Sequence, residues 1–160
     1  MTLARVFLDD DTRCGLPPFI EADRAQAVAD LAAANHFLVS GRDGERHEGP
    51  YNLHLSIAEG RLIFDIRDQQ DANLIVIGLA LGPFRRLVKD YQLLVDSHIK
   101  AVEEGREARI QAIDMGRRGL HNEGAALMTE RLAGKIDIDF DTARRLFTLV
   151  CVLAQRISAR

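Results

Sequence analysis

YNLHLSIAEGRLIFDIR, residues 51–67, decides the fold class. Tyr51, Leu53, Leu55 and Ile57 alternate with Asn52, His54 and Ser56. After Ala58-Glu59-Gly60-Arg61 the alternation resumes, with Leu62, Phe64 and Ile66 against Ile63, Asp65 and Arg67. A period of two is the signature of a half-buried strand. A four-residue loop would pair Ile57 with Leu62, Leu55 with Phe64 and Leu53 with Ile66, so that pattern and turn agree on one apolar face. The run LIVIGLAL, residues 74–81, follows and is apolar on both faces. That suits a central strand, or one whose outer face is covered by another element or subunit.

Working outward, TLARVFL (2–8) predicts a short strand, the segment Asp9 to Pro18 a polar loop, and Ile20 to Asn35 a helix with Ala25, Val28, Leu31 and Ala32 at helical spacing. Glu21 and Asp23 suit the positive end of that helix. GRDGERHEGP, 41–50, has almost nothing to bury and reads as a mobile loop. From Pro83 the period becomes helical: Phe84, Leu87, Val88, Tyr91, Leu94, Val95, His98 and Val102 mark one face to Glu104, and Gly105 breaks it. Ile110, Ile113, Leu120, Leu127 and Leu132 mark a second helix, and two helices so closely joined form an αα-hairpin. IDIDF after Gly134 alternates like a strand, and Asp141 and Thr142 are candidate caps for a last helix, ARRLFTLVCVLAQRI. That helix is apolar nearly all round and should be the most buried element. The expectation is an α+β fold in a single domain, 1–160. Its antiparallel three- to four-stranded sheet, with core order 51–57, 62–67 and 74–81, is packed on one face by helices.

At 160 residues, 47% hydrophobic and 28% charged, the chain has an ordinary globular composition, which excludes disordered, collagen-like and disulfide-scaffold classes. The net charge is −3, which gives nucleic acid no general attraction. Charge is uneven, however: residues 1–82 hold 7 basic and 13 acidic residues, and residues 83–160 hold 14 and 11. An anionic partner would therefore meet the second half. Cys14 and Cys151 do not make a disulfide framework, and Cys151 reads as a core residue. With no leader-like start and no run of about 20 apolar residues, no membrane span is expected, and a cytoplasmic setting is the simplest account.

The stretch Asp114-Met115-Gly116-Arg117-Arg118-Gly119-Leu120-His121-Asn122-Glu123-Gly124 is the place where chemistry could sit. Three glycines in a helical pattern cost roughly 1 kcal/mol each against alanine. Either they admit a close neighbour, the reading favoured here, or they leave room for a ligand beside Arg117, Arg118, His121 and Asn122. On a helix Asp114 reaches Arg118 and Arg117 reaches His121, each four apart. An arginine so held presents a planar fork to a carboxylate or phosphate. His121 is the candidate acid/base residue; His121 and Glu123 diverge on a helix, so no metal site is expected there. The doublets Arg85-Arg86, Arg117-Arg118 and Arg144-Arg145 would make a basic pocket if they converged. The simpler reading pairs one member of each with an acid and solvates the other. Asp137, Asp139 and Asp141 match the start of an EF-hand loop, but Thr142 and Thr148 stand where glycine and glutamate belong. His54 falls opposite Asp65 as a surface pair, His98 lies on an apolar stripe, His36 ends a helix and His47 is in the loop.

GPYNLHLSI…LIFDIRD, FRRLVKDY, IDMGRRGLHNEG and DFDTARRLFTLVCVL together resemble uncharacterised protein family 0262, a small bacterial family, over nearly the whole chain except 41–50. The resemblance implies a bacterial cytoplasmic protein and assigns no activity, cofactor or catalytic residue.

Two functions are therefore weighed. The first is a non-enzymatic binding or interaction module that self-associates as a homo-oligomer or takes a protein partner. It is suggested by the doubly apolar strand, the glycine-punctuated helix and the lack of a catalytic template. The alternative is a small enzyme or ligand-binding protein for a phosphate- or carboxylate-bearing metabolite. Arg117 and Arg118 would clamp the anion, with Asn122 beside it, His121 would move a proton, and Asp114 would orient an arginine. Neither requires a cofactor, and RNA binding through the doublets is disfavoured by the acidic balance.

Overall fold

The computed structural model describes residues 2–8, 16–40 and 46–158. Among these residues, seven strands and four α-helices run β1 (Leu3–Leu8), α1 (Pro18–Ala33), β2 (Phe37–Ser40), β3 (Arg46–His47), β4 (Tyr51–Ala58), β5 (Arg61–Arg67), β6 (Asn73–Ala80), α2 (Arg85–Glu104), α3 (Glu107–Leu132), β7 (Ile136–Ile138) and α4 (Phe140–Ser158). The polar segment holding Cys14 and Asp9-Asp10-Asp11, and residues 41–45 of the glycine-rich stretch, lie outside the described residues.

The fold is α+β. Its main sheet has the order β1-β4-β5-β6. The β4–β5 hairpin has the expected register, with Ile57 opposite Leu62, Leu55 opposite Phe64 and Leu53 opposite Ile66. Ala58 also pairs with Arg61, so the loop shrinks to Glu59-Gly60, both at positive φ (52° and 73°). Two left-handed residues make the tight turn whose twist matches the flanking strands. Two features differ from expectation. β1 runs parallel to β4, which makes the sheet mixed rather than wholly antiparallel. And β6 is the edge strand, not a central one; its apolar outer positions stay open, with Val76 58% exposed.

A second small sheet, β3-β2-β7, was not foreseen. It pairs Phe37 with Ile138 and Val39 with Ile136, and Phe37 and Val39 are fully buried. Asn35 fastens β1 to the end of α1. Its Oδ1 accepts from the Thr2 and Leu3 N–H groups, and its Nδ2 donates to the Leu3 and Leu31 carbonyls.

The helices cover one face of the main sheet, with α4 at the centre. Leu146, Phe147, Leu149, Val150, Cys151 and Val152 are all fully buried, so α4 is the core helix its composition predicts. Its cap is Asp139 rather than Asp141 or Thr142: Asp139 Oδ1 accepts the Thr142 N–H at 2.8 Å. The Thr142 hydroxyl accepts instead from the His36 N–H at 2.9 Å. α2 and α3 form the αα-hairpin, and Gly105 closes α2 at φ 67°. α3 is continuous through Gly116, Gly119 and Gly124. Only Gly124 is explained by a close approach: a Cβ there would stand 2.4 Å from the Phe147 ring.

Candidate functional site

Three helices meet around a cavity of about 380 Å³. From α1 come Asp23, Gln26, Ala27 and Asp30; from α3, Arg117, Arg118 and His121; from α4, Arg144, Arg145 and Thr148. The spacings follow from helix geometry. Residues 117 and 121, 144 and 148, and 26 and 30 are each four apart and so share a face. Two of the arginine doublets therefore converge. The third does not: Arg86 pairs outward with Asp90 at 3.1 Å and with Glu123, and Arg85 lines a different cavity.

Asp23 is the buried keystone on the α1 side. Its Oδ1 accepts from Arg117 Nη1 at 2.5 Å and its Oδ2 from the Tyr91 hydroxyl at 2.7 Å. Both oxygens are thereby engaged. Burial, then the Asp23 charge, pushes the Tyr91 hydroxyl far above its ordinary range, so it stays a neutral donor. Arg117 is also braced over the Phe19 ring, 5.2 Å from its centroid. Arg145 donates to Asp30 Oδ2 at 2.9 Å.

Arg118 and Arg144 have no ion-pair partner among the described residues. Arg118 is exposed, whereas Arg144 is partly buried and its Nε is enclosed without any hydrogen-bond partner in the protein. Burial first, and then Arg145, holds its guanidinium below the ordinary range. It still remains charged at neutral pH, as guanidinium groups in proteins do.

His121 is 8% exposed and packs between the Tyr91 ring (6.1 Å) and the Phe147 ring (5.9 Å). Burial, followed by the charges of Arg117, Arg144 and Arg145, pushes its pKa down to about 4. It is therefore a neutral imidazole at pH 7. Its Nδ1 is 3.3 Å from the Thr148 hydroxyl, and its Nε2 is buried with no partner.

The sequence-level candidates thus divide. Arg117, Arg118 and His121 stand together on the cavity wall. Asn122 is exposed and outside it, since one residue along a helix turns the side chain about 100° away. Asp114 contacts Arg117 at 3.5 Å rather than Arg118. Arg117 bonds Asp23 and not His121. Asp23, Asp30 and Thr148 were not anticipated, because their partners lie 94, 115 and 27 residues away. No spacing rule links such positions.

Elsewhere, His54 is opposite Asp65 in register but bonds Asp71 at 3.0 Å. His98 rests on Phe19, with ring centroids 4.4 Å apart, and His36 meets Asp137 at 3.1 Å. A larger cavity, about 570 Å³, is walled mainly by Leu16, Pro17, Ile20, Leu81 and Val88. Arg85, Lys89 and Gln92 of α2 and Gln155 of α4 complete its lining, with no acidic side chain among them. Among the described residues no three His, Cys, Asp or Glu side chains gather as metal ligands would, and no helix is long and apolar enough to cross a membrane.

Comparison with known proteins gives a family without an activity. The model of the Uncharacterised protein family (UPF0262) matches residues 1–156, and the chain belongs to that family. A UPF0262 protein of Granulibacter bethesdensis is 67% identical over 159 residues, covering 97% of this chain and 90% of the relative. One from Acidiphilium cryptum is 58% identical over 154 residues, covering 96% and 93%. One from Agrobacterium fabrum is 47% identical over 154 residues, covering 96% and 95%. No solved structure gives a significant match.

Proposed function

We propose that this UPF0262 family member binds a small anionic metabolite, phosphate- or carboxylate-bearing, in the cavity between α1, α3 and α4. The observation that carries the reading is an imbalance of charge. Four guanidinium groups line the cavity against two carboxylates, and Asp23 and Asp30 are already engaged by Arg117 and Arg145. Two positive charges are left over, one of them on the partly buried Arg144. Burial and Arg145 disfavour this charge more than the nearby Asp141 favours it, and a bound anion would offset that cost. Arg117 and Arg145, held by their carboxylates, supply forks of fixed orientation for oxygen ligands. His121 contributes an uncharged hydrogen-bonding edge. Its role here is recognition, and the setting is read as cytoplasmic, in keeping with the buried free thiol of Cys151.

Thermal denaturation with inorganic phosphate, pyrophosphate and citrate, against matched sodium chloride, tests this. A ligand at a hundred times its Kd adds about 2.7 kcal/mol. The shift should vanish in a folded Arg144→Met variant. No shift with any of these anions overturns the reading.

A second reading, self-association, has a specific observation behind it. β6 stands at the sheet edge, residues 74–81 hold no charged side chain, and the edge has no strand partner among the described residues. An uncharged, unpaired edge is a template for another strand. Sedimentation at micromolar concentrations decides it: a dimer abolished by Val76→Lys supports this reading, and a monomer removes it.

A further inference from the structure

The anion-binding reading says that the cavity takes a negative charge; the groups around His121 say which oxyanion. This inference rests on that reading. The Thr148 hydroxyl has a single proton. Its oxygen lies 3.0 Å from the Arg144 carbonyl, one turn back on α4, and 3.3 Å from His121 Nδ1. The shorter contact places the hydroxyl proton on the Arg144 carbonyl, which leaves the hydroxyl a lone pair to offer His121. In that arrangement Nδ1 carries the imidazole proton, and Nε2 is left as a bare acceptor. Nε2 is buried and has no partner in the protein. A buried, unpaired acceptor loses its water without replacement, and a donor brought to it is correspondingly favoured. The imidazole has no easy escape through a second proton, because burial first, and then Arg117, Arg144 and Arg145, oppose it.

The four arginines are donors only. By themselves they accept any oxyanion of suitable size and cannot tell one from another. His121 Nε2 is different in kind: it rewards a ligand oxygen that still bears hydrogen and penalises one that does not. Inorganic phosphate retains at least one proton throughout the neutral range. Sulfate, of the same shape and of the same charge as the hydrogen phosphate dianion, retains none. We propose that His121 Nε2 is the specificity-determining acceptor of the cavity, and that the ligand is a phosphate bearing a P–OH group, held by the arginines and donating that proton to His121. Thr148 is a positioning residue that fixes the tautomer.

Isothermal titration calorimetry of the full chain at pH 7, with phosphate and sulfate at matched ionic strength, is the test. Phosphate should bind roughly tenfold tighter than sulfate or better, the worth of one buried hydrogen bond. Equal affinities for the two ions overturn this inference and leave the anion-binding reading standing. If neither ion binds, both fall. Thr148→Val removes the acceptor that holds the proton on Nδ1, so the phosphate preference should collapse towards unity while sulfate binding persists. Should that variant fail to fold, the histidine nitrogen resonances of the unmodified protein decide the matter. The Nδ1–H tautomer of His121 is expected, and an Nε2–H tautomer overturns the inference.

Discussion

Two charge networks in this molecule solve the same problem in opposite ways. On the outer face of the main sheet, Arg67 binds Asp65 and Asp71, each at 2.7 Å, and His54 binds Asp71 at 3.0 Å while stacking on Phe7. This network draws on residues 54–71 plus one neighbouring ring, and it leaves Asp65 Oδ1 buried without a partner. Each of its basic side chains meets a carboxylate. The network between α1, α3 and α4 spans residues 23–148, joins three helices, and leaves Arg118 and Arg144 over. The first is a surface network of paired groups, of the kind that contributes little to stability. The second keeps a partly buried guanidinium with no ion-pair partner among the described residues, and it is on this difference that the anion-binding proposal rests.

The contrast is open to breakage, most severely at Asp23. Asp23→Ala leaves the Tyr91 hydroxyl and the Arg117 guanidinium without their acceptor and should cost about 3 kcal/mol in chemical denaturation, since removing one partner of a buried pair strands the other. Acid should discriminate almost as strongly. In the folded protein the pKa of His121 is pushed down to about 4 from the ordinary 6.5. Stability is therefore fully present above pH 6.5 and lost as pH falls towards 4, because the unfolded chain takes up a proton that the folded one refuses. The loss approaches about 3 kcal/mol. A stability–pH profile should show that slope, and His121→Gln should flatten it.

Gly124→Ala comes next. The new methyl meets the Phe147 ring, which is fully buried in α4, and overpacking at such a contact costs about 2 kcal/mol. Arg144→Met should move stability the other way. With a partly desolvated charge gone, the protein should be at least as stable, the gain being small because solvent still screens the group, while it loses its anion-dependent thermal shift. A loss of stability here would mean that Arg144 serves the fold rather than a ligand. His54→Ala on the sheet face should change little, about 0.5 kcal/mol. A larger effect would erase the distinction between the two networks.

The same division between local and distant explains what could be read from the sequence. Alternation and a short turn contain the whole of the β4–β5 register, so every pair from Leu53–Ile66 to Ile57–Leu62 was legible. The parallel pairing of β1 with β4 was not, because nothing in either strand records its direction. β2 and β7 have four and three residues, too few for a period to show. Three glycines put a cost on α3, and one of them is explained by a close neighbour, since Gly124 gives its space to Phe147. At the site, Arg117, Arg118 and His121 drew notice as a run of unusual composition. Asn122 drew the same notice wrongly, since adjacency along a helix separates side chains instead of gathering them. Asp23 looked like a helix-dipole residue, and only the approach of α2 and α3 shows it to be the partner of Tyr91 and Arg117.

α4 carries a consequence for how binding would be felt. Arg144, Arg145 and Thr148 line the cavity from the same helix whose Phe147, Val150 and Cys151 fill the core. A ligand that grips those side chains grips the helix that fills the core. Amide hydrogen exchange should accordingly slow on saturation along the whole of α4 and its neighbours, by a factor equal to the gain in global stability, and not as a local footprint on a loop.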